Sequence, residues 1–218
     1  MILTAGCSWT EQYHDLFPVW PHLLNKPVKN IGESGTNNLE IANGIMRGFY
    51  KGYIPQHYDK VLILWTHWLR GYALIDHSFT TRRWKVVKNR MEIDGCRYYG
   101  KREYITEILK DSVVSNVYAI HAVQSLLERC NIDYYMIQGL NPFYEFPEHL
   151  DLYLEMISYT EHLINQDKFY KWPPFPEVGG FNCDYIVQER ENRMSEHDYH
   201  PSAKGSQLIA DLFLKHAF

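Results

Sequence analysis

The sequence lacks an apolar run long enough to span a bilayer, and it lacks the charged segment and apolar core of a signal peptide. Close cysteine spacing, which would indicate a zinc ribbon or a redox motif, is also absent: the cysteines are scattered at Cys7, Cys96, Cys130 and Cys183. The net charge of -4 and the pI of about 6.2 are close to neutral, whereas nucleic-acid-binding modules are usually basic. We therefore expect a cytoplasmic protein that binds neither membranes nor nucleic acid.

Short apolar runs alternate with helical stretches along the chain. Strands are predicted at residues 1–5, 28–31, 61–65 and 134–138, and helices at 18–24, 36–50, 105–130 and 202–216. The run at 61–65 has no polar alternation, so we expect a strand buried on both faces. Strands separated by helices imply a mostly parallel sheet covered on both sides. The sequence therefore predicts one α/β domain over residues 1–218, a three-layer α/β/α sandwich.

Two stretches do not fit this alternation and are predicted insertions. Within residues 70–104, Asp94-Gly95 lies between alternating segments, as the turn of a β-hairpin would. Residues 140–195 are rich in proline and glycine, which disfavour regular structure, but also in aromatic residues, which disfavour a solvated linker. We expect this second insertion to form a long loop that walls the active site.

A serine near the start of the chain and a histidine near its end suggest nucleophilic chemistry. Ser8 follows the first strand on a predicted strand-to-helix turn, and Asp198 and His200 precede the last helix. A neutral hydroxyl needs a positioned base before it attacks an acyl group, and these residue types meet that need. The alternatives are structural: Ser8 as a cap of the segment that follows it, and His200 as a hydrogen-bonded residue at a helix start.

The polar residues that follow the predicted strands resemble the sequence blocks of the SGNH/GDSL hydrolases, in order and spacing. Gly6-Cys7-Ser8 matches the first block, with cysteine in place of the family aspartate. Residues 20–24 and 30–36 resemble the stretch that leads into the second block. His200-Pro201-Ser202, followed by Gly205, matches the fifth block.

The resemblance implies an SGNH-hydrolase-like, flavodoxin-like fold and a serine esterase that uses no cofactor or metal. Its substrate would be a small-molecule or glycan ester. Ser8 would be the nucleophile, His200 the base and Asp198 the carboxylate that orients it. Gly35 would donate a backbone hydrogen bond to the oxyanion.

The sequence departs from the family pattern at two points. Thr66-His67 stands where the third block has asparagine, so either residue could supply that oxyanion donor. In the fifth block the family aspartate stands three residues before the histidine, a position that His197 occupies here, whereas Asp198 stands two before it.

Two other functions are suggested by different groups of residues. Glu196-His197-Asp198-Tyr199-His200 contains four possible metal ligands, although not in the helical pattern of a metallohydrolase. Basic and aromatic residues within 82–102 could instead hold an anionic polymer on an inactive SGNH-like module, unless they form only a solvated hairpin face.

Overall fold

The computed structural model of the chain describes residues 1–12, 14–52, 57–68, 70–75, 78–87, 90–93, 96–98, 102–142 and 150–218, and between 71 and 108 it describes the backbone alone. The described strands are β1 (Ile2–Gly6), β2 (Val28–Asn30), β3 (Lys60–Trp65), β4 (Arg70–Ile75), β5 (Ser78–Val87), β6 (Arg90–Ile93), β7 (Cys96–Tyr98) and β8 (Asp133–Gln138). The described α-helices are α1 (Asn38–Tyr50), α2 (Arg102–Arg129), α3 (Leu150–Ser158), α4 (Asp184–Gln188) and α5 (Ala203–His216), and a short 3-10 helix spans Trp20–Leu24.

The central sheet has the strand order β2-β1-β3-β8, and each neighbouring pair is parallel. These are the four strands that the apolar runs predicted. The chain moves outward from β1 to β2 and then crosses to β3 on the other side of β1. The order therefore reverses between β1 and β3, and ligands of such sheets bind at the carboxyl ends of the strands at this point.

Alternate side chains of the strands enter two separate cores. Leu3, Val61 and Ile63 pack in the core formed with α1, α2 and α3. Leu62 and Leu64 pack in the opposite core, with the 3-10 helix, α4 and α5. The buried strand β3 thus supplies side chains to both faces, and the sheet is the middle layer of the predicted α/β/α sandwich.

Side-chain caps fix the start of the helices that flank the sheet edge. Asn37 caps α1: its side chain accepts a hydrogen bond from the Glu40 N–H at 2.8 Å, and the Glu40 carboxylate accepts one from the Asn37 N–H at 2.8 Å. Ser202 caps α5 by accepting a hydrogen bond from the Gly205 N–H at 3.3 Å. Each helix therefore begins directly after a polar residue whose side chain satisfies a backbone N–H of its first turn.

The first insertion contains more strand than a single hairpin. Strands β4, β5, β6 and β7 form an antiparallel sheet in that order. Ile93 pairs with Cys96, on either side of the predicted turn. The turn residues Asp94 and Gly95, and the basic side chains of 82–102, lie outside the described residues.

The second insertion is more regular than the long loop that the sequence predicts, and it contributes to the main core. Its described residues contain α3, α4 and four short 3-10 helices, and the side chains of Phe169, Trp172 and Phe175 are buried. Trp172 stacks on Trp68, which follows β3, and their ring centroids are 6.0 Å apart. These rings provide enough apolar area to join the core, so this part of the insertion is more than a loop wall.

Among the helices that the structure describes, none combines the length and the apolar composition that crossing a bilayer requires.

Candidate active site

Ser8 lies in a tight turn directly after β1. The N–H groups of Thr10 and Glu11 donate hydrogen bonds to the Cys7 carbonyl, at 2.8 and 3.1 Å. The Cys7 side chain, in the position of the family aspartate, is buried in the core beneath the turn. The turn leads into an irregular segment, and the first helical element is the 3-10 helix Trp20–Leu24, so the prediction of a strand-to-helix turn is wrong. Among the residues that the structure describes, no helix begins directly after Ser8.

A short loop before α5 presents His200. Arg193 and Pro201 form an antiparallel bridge, and the Met194 N–H donates to the His200 carbonyl at 2.8 Å. The Ser202 N–H then donates to the Asn192 carbonyl at 2.8 Å. These backbone bonds anchor the loop on both sides of His200, so the ring is held by the fold as well as by its own partners.

The structure brings Ser8, His200 and Asp198 together. The His200 Nε2 atom lies 2.9 Å from Ser8 Oγ, and its Nδ1 atom lies 2.6 Å from Asp198 Oδ1. An ionised carboxylate only accepts hydrogen bonds, so Nδ1 carries a proton and donates it. Nε2 of the neutral ring is then free to accept the hydrogen bond of the serine hydroxyl. This is the tautomer that a general base for Ser8 requires.

An Asx turn allows Asp198 to reach the imidazole from only two residues away. The same Asp198 Oδ1 atom also accepts a hydrogen bond from the His200 backbone N–H, at 3.0 Å. Partial burial raises the pKa of Asp198, but the hydrogen bonds from the backbone and ring of His200 outweigh it, and the net pKa is lowered from its usual value. His197, at the family's aspartate position, is exposed, and its N–H donates to Ser195 Oγ at 3.3 Å.

Gly35 lies in an exposed turn beside the Ser8 turn. Its φ of +81° is in the left-handed region, and a Cβ there would meet no atom within 4 Å, so backbone conformation, not close packing, favours glycine. The Glu33 N–H donates to the Gly6 carbonyl at 3.1 Å, and the Ser34 N–H donates to Glu11 Oε2 at 2.6 Å. These two bonds fix the Gly35 turn to the end of β1.

Thr66 and His67 follow β3 and are buried, at 0% and 2% exposure. The Thr66 N–H donates a hydrogen bond to the Asn38 side chain at 2.7 Å, so this amide already has a partner. The sequence predicts no function for Asn38. The signal that it contains is a pair of adjacent asparagines at a helix start: Asn37 caps α1, and Asn38 is the first residue of that helix.

The possible metal cluster at residues 196–200 does not converge. In the part of the chain that the structure describes, no three histidine, cysteine, aspartate or glutamate side chains gather as metal ligands. Within the cluster, Asp198 and His200 instead contact each other.

Comparison with protein-family models finds no match, and comparison with curated protein sequences finds none. Solved structures do match. A lipolytic protein of the G-D-S-L family from Desulfitobacterium hafniense is 15% identical, with a TM-score of 0.53 over 98% of this chain and 97% of that one. A psychrotrophic esterase from Pseudoalteromonas is 13% identical, with a TM-score of 0.52 over 99% of this chain and 94% of that one.

An acetyl xylan esterase from Butyrivibrio proteoclasticus also matches, at 13% identity and a TM-score of 0.50, over 98% of this chain and 62% of that one. At such identities the likeness concerns the fold alone. It agrees with the order of the parallel strands and with the motifs at their carboxyl ends. The chain therefore has the three-layer fold of the SGNH/GDSL hydrolases that its sequence blocks resemble.

Proposed function

We propose that the protein is a serine esterase in which Ser8 is the nucleophile, His200 the general base and Asp198 the residue that orients the base. The observation that carries this proposal is the continuous path of hydrogen bonds from Asp198 through both ring nitrogens of His200 to Ser8, at 2.6 and 2.9 Å. Two separate bonds with correct donor and acceptor chemistry are a stronger argument than proximity alone.

In the proposed reaction, Ser8 Oγ attacks the ester carbonyl while His200 Nε2 accepts its proton. His200 then donates that proton to the leaving alcohol as the acyl-enzyme forms. Water attacks the acyl-enzyme with His200 again as the base, which releases the carboxylic acid and restores Ser8. Asp198 keeps the ring in the required tautomer and stabilises the imidazolium that forms at each step.

The negative charge on the tetrahedral intermediate needs hydrogen-bond donors. We assign this task to the backbone amides of Ser8 and Gly35 and to a group from Thr66 or His67. The turns of Ser8 and Gly35 are tied together through Glu33 and Gly6, which supports a shared role. Loss of one such donor typically costs about 3 kcal/mol of transition-state stabilisation.

The substrate proposed first is a small acyl ester, including an acetyl group on a carbohydrate. Support for the carbohydrate comes from the acetyl xylan esterase among the structural neighbours. The described cysteines Cys7, Cys130 and Cys183 are all free thiols, which supports a cytoplasmic, reducing location.

Labelling with a fluorophosphonate, followed by mapping of the modified peptide, tests the nucleophile directly. We expect a single label on Ser8, abolished by Ser8→Ala. The chain contains an internal control: Ser125 Oγ lies 3.4 Å from the Nε2 atom of His121. Because His121 is backed by the Leu163 carbonyl and not by a carboxylate, Ser125 is expected to stay unlabelled.

The alternative is an inactive module that has kept the fold and binds an anionic polymer. It would be supported if no serine is labelled and no aryl acetate is turned over, while heparin or another polyanion binds. Turnover that depends on Ser8 would exclude it.

A further inference from the structure

Three buried amide side chains surround the segment that follows β3. They belong to Asn38, Asn116 and Gln138, which are 1%, 8% and 0% exposed. Burying an amide is costly unless its hydrogen bonds are made, and each of these amides makes at least one of its bonds to the backbone of the segment from Thr66 to Trp68. The polar network therefore holds one short piece of chain.

Asn38 holds Thr66 at two points. Its Oδ1 atom accepts a hydrogen bond from the Thr66 N–H at 2.7 Å, and its Nδ2 atom donates one to the Thr66 carbonyl at 3.1 Å. A neighbouring β-strand would satisfy the backbone N–H and C=O groups of a residue in the same way. Here a single side chain at the start of α1 does so, at the residue where β3 has just ended.

The other two amides complete the network. Asn116 Oδ1 accepts from Asn38 Nδ2 at 2.6 Å, and its Nδ2 donates to the Trp68 carbonyl at 2.9 Å. Gln138 Nε2 donates to the Thr66 carbonyl at 2.8 Å, and its Oε1 accepts from the Trp68 ring N–H at 3.0 Å. A buried network with its bonds made is rigid, so the positions of Thr66 and of its successor His67 are closely defined.

We propose that Asn38 is a positioning residue of the active site, which fixes the Thr66–His67 segment without contacting the substrate. This inference rests on the proposed esterase function, in which that segment supplies an oxyanion donor. The Thr66 amide already donates to Asn38, so the donor from this segment would be a group of His67 or the Thr66 hydroxyl, which is buried and has no hydrogen-bond partner in the described part of the chain. Asn38 anchors the backbone that carries both candidates.

A second buried amide provides a matched control. Gln124 is 5% exposed and makes the same two-point contact elsewhere: its Oε1 accepts from the Asn165 N–H at 2.8 Å, and its Nε2 donates to the Leu163 carbonyl at 3.1 Å. The segment that it holds carries none of the proposed site residues. Gln124→Ala should therefore lower the melting temperature about as much as Asn38→Ala does, but it should leave kcat unchanged.

The test compares Asn38→Ala with Gln124→Ala for melting temperature and for kcat and KM on an aryl acetate, well below both melting temperatures. Both variants should melt about 5 °C or more below the wild type. Asn38→Ala should lower kcat at least about tenfold with little change in KM, because a displaced donor weakens transition-state binding. Gln124→Ala should keep the wild-type kcat. Equal kcat values in the two variants would overturn the inference.

Asn116→Ala and Asn38→Asp cover the case in which Asn38→Ala does not fold. Each substitution removes a hydrogen bond to the same segment, so each should lower kcat with little change in KM. Wild-type kcat in a folded Asn116→Ala or Asn38→Asp protein would reject the positioning role. If the wild-type enzyme is labelled on Ser8 and these variants are unimpaired, only this inference fails. If turnover does not depend on Ser8, the proposed function fails and this inference with it.

Discussion

Ser8 and His200 are separated by 192 residues in the chain, yet their side chains meet at 2.9 Å. The turn after β1 presents one partner, and the bridged loop before α5 presents the other. The chain holds a second serine–histidine pair, Ser125 and His121, one helical turn apart in α2. Of these two pairs, only the first has a carboxylate in contact with its imidazole. A comparison of the reactivity of Ser8 and Ser125 therefore tests whether a serine–histidine hydrogen bond is enough for the proposed activity.

Ser8→Ala should abolish ester hydrolysis and leave the melting temperature within about 4 °C of the wild-type value, since loss of one hydrogen bond costs only about 1 kcal/mol. Ser125→Ala should retain full activity. Turnover of an aryl acetate and thermal melting of both variants provide the check. Unfolding of Ser8→Ala, or activity that survives it, would leave the nucleophile unsupported.

Asp198→Asn should lower kcat by roughly a thousandfold or more with little change in KM, because an amide can stabilise the wrong imidazole tautomer and cannot stabilise an imidazolium. His197→Ala should be mild, since His197 is exposed and uses its backbone to contact Ser195. Steady-state kinetics of the two variants decides the order. The reverse order would mean that the base relies on a different acid or on none.

The general base of the proposed reaction is the neutral ring of His200, and its partner Asp198 must be ionised. Asp198 should therefore add no step to the pH dependence of kcat/KM on a neutral ester near neutrality. Although partial burial raises its pKa, hydrogen bonds from His200 lower it further, so the carboxylate stays charged there. A pH–rate profile measured with and without a chelator tests this. Inactivation by the chelator, reversed by zinc or manganese, would favour the metal alternative.

Asp133→Asn should destabilise the protein at neutral pH and have little effect in acid. Partial burial raises the pKa of Asp133, but hydrogen bonds and charges from Lys168 and Lys60 lower it more, to a net value below its usual one. The ionised carboxylate is therefore favoured by folding, and its contribution is present above about pH 4 and lost as pH falls through the lowered pKa. The effect should be modest, since the Asp133 side chain is 44% exposed.

Urea midpoints of the wild type and Asp133→Asn, at about pH 7 and about pH 2.5, measure this effect. Asp211→Asn is the control, because Asp211 accepts its hydrogen bond from Gln207 and not from a lysine. A difference between wild type and Asp133→Asn that persists undiminished in acid would contradict the ion-pair explanation.

Substitution by alanine should lower the stability of the protein at Gly32 and raise it at Gly44. A Cβ on Gly32 would lie 2.7 Å from Thr10 Cβ and 2.9 Å from the Glu11 nitrogen, so Gly32→Ala should cost about 1–3 kcal/mol of stability. A Cβ on Gly44, inside α1, would meet nothing nearer than Ile31 Cδ1 at 3.9 Å, so Gly44→Ala should stabilise by about 0.5–1 kcal/mol. Chemical unfolding of both variants gives the two signs.

The central sheet could be predicted because β1, β3 and β8 are short and mainly apolar, and the continuous apolar run from Val61 to Trp65 favours a strand buried on both faces. The contact between Ser8, His200 and Asp198 agrees with what the sequence blocks imply, and the catalytic roles of these residues stay a prediction. The contact of Asp198 with His200 could also be predicted, because an aspartate side chain is short enough to reach a residue two positions later.

The network around Thr66 could not be predicted. Asn38 and Thr66 are 28 residues apart, and their contact depends on how α1 packs on β3, which no local pattern contains. The same limit applies to the second insertion. Proline and glycine there indicate irregular backbone, but whether Trp172 and Phe175 are buried depends on Trp68, which lies far away in the chain.

The order of Ser8 and His200 along the chain also determines when their contact can form during synthesis. Ser8 directly follows β1, whereas His200 follows all four parallel strands and stands just before α5. A nascent chain that has already formed its parallel sheet can therefore still lack the contact between Ser8 and His200 on which the proposed esterase depends.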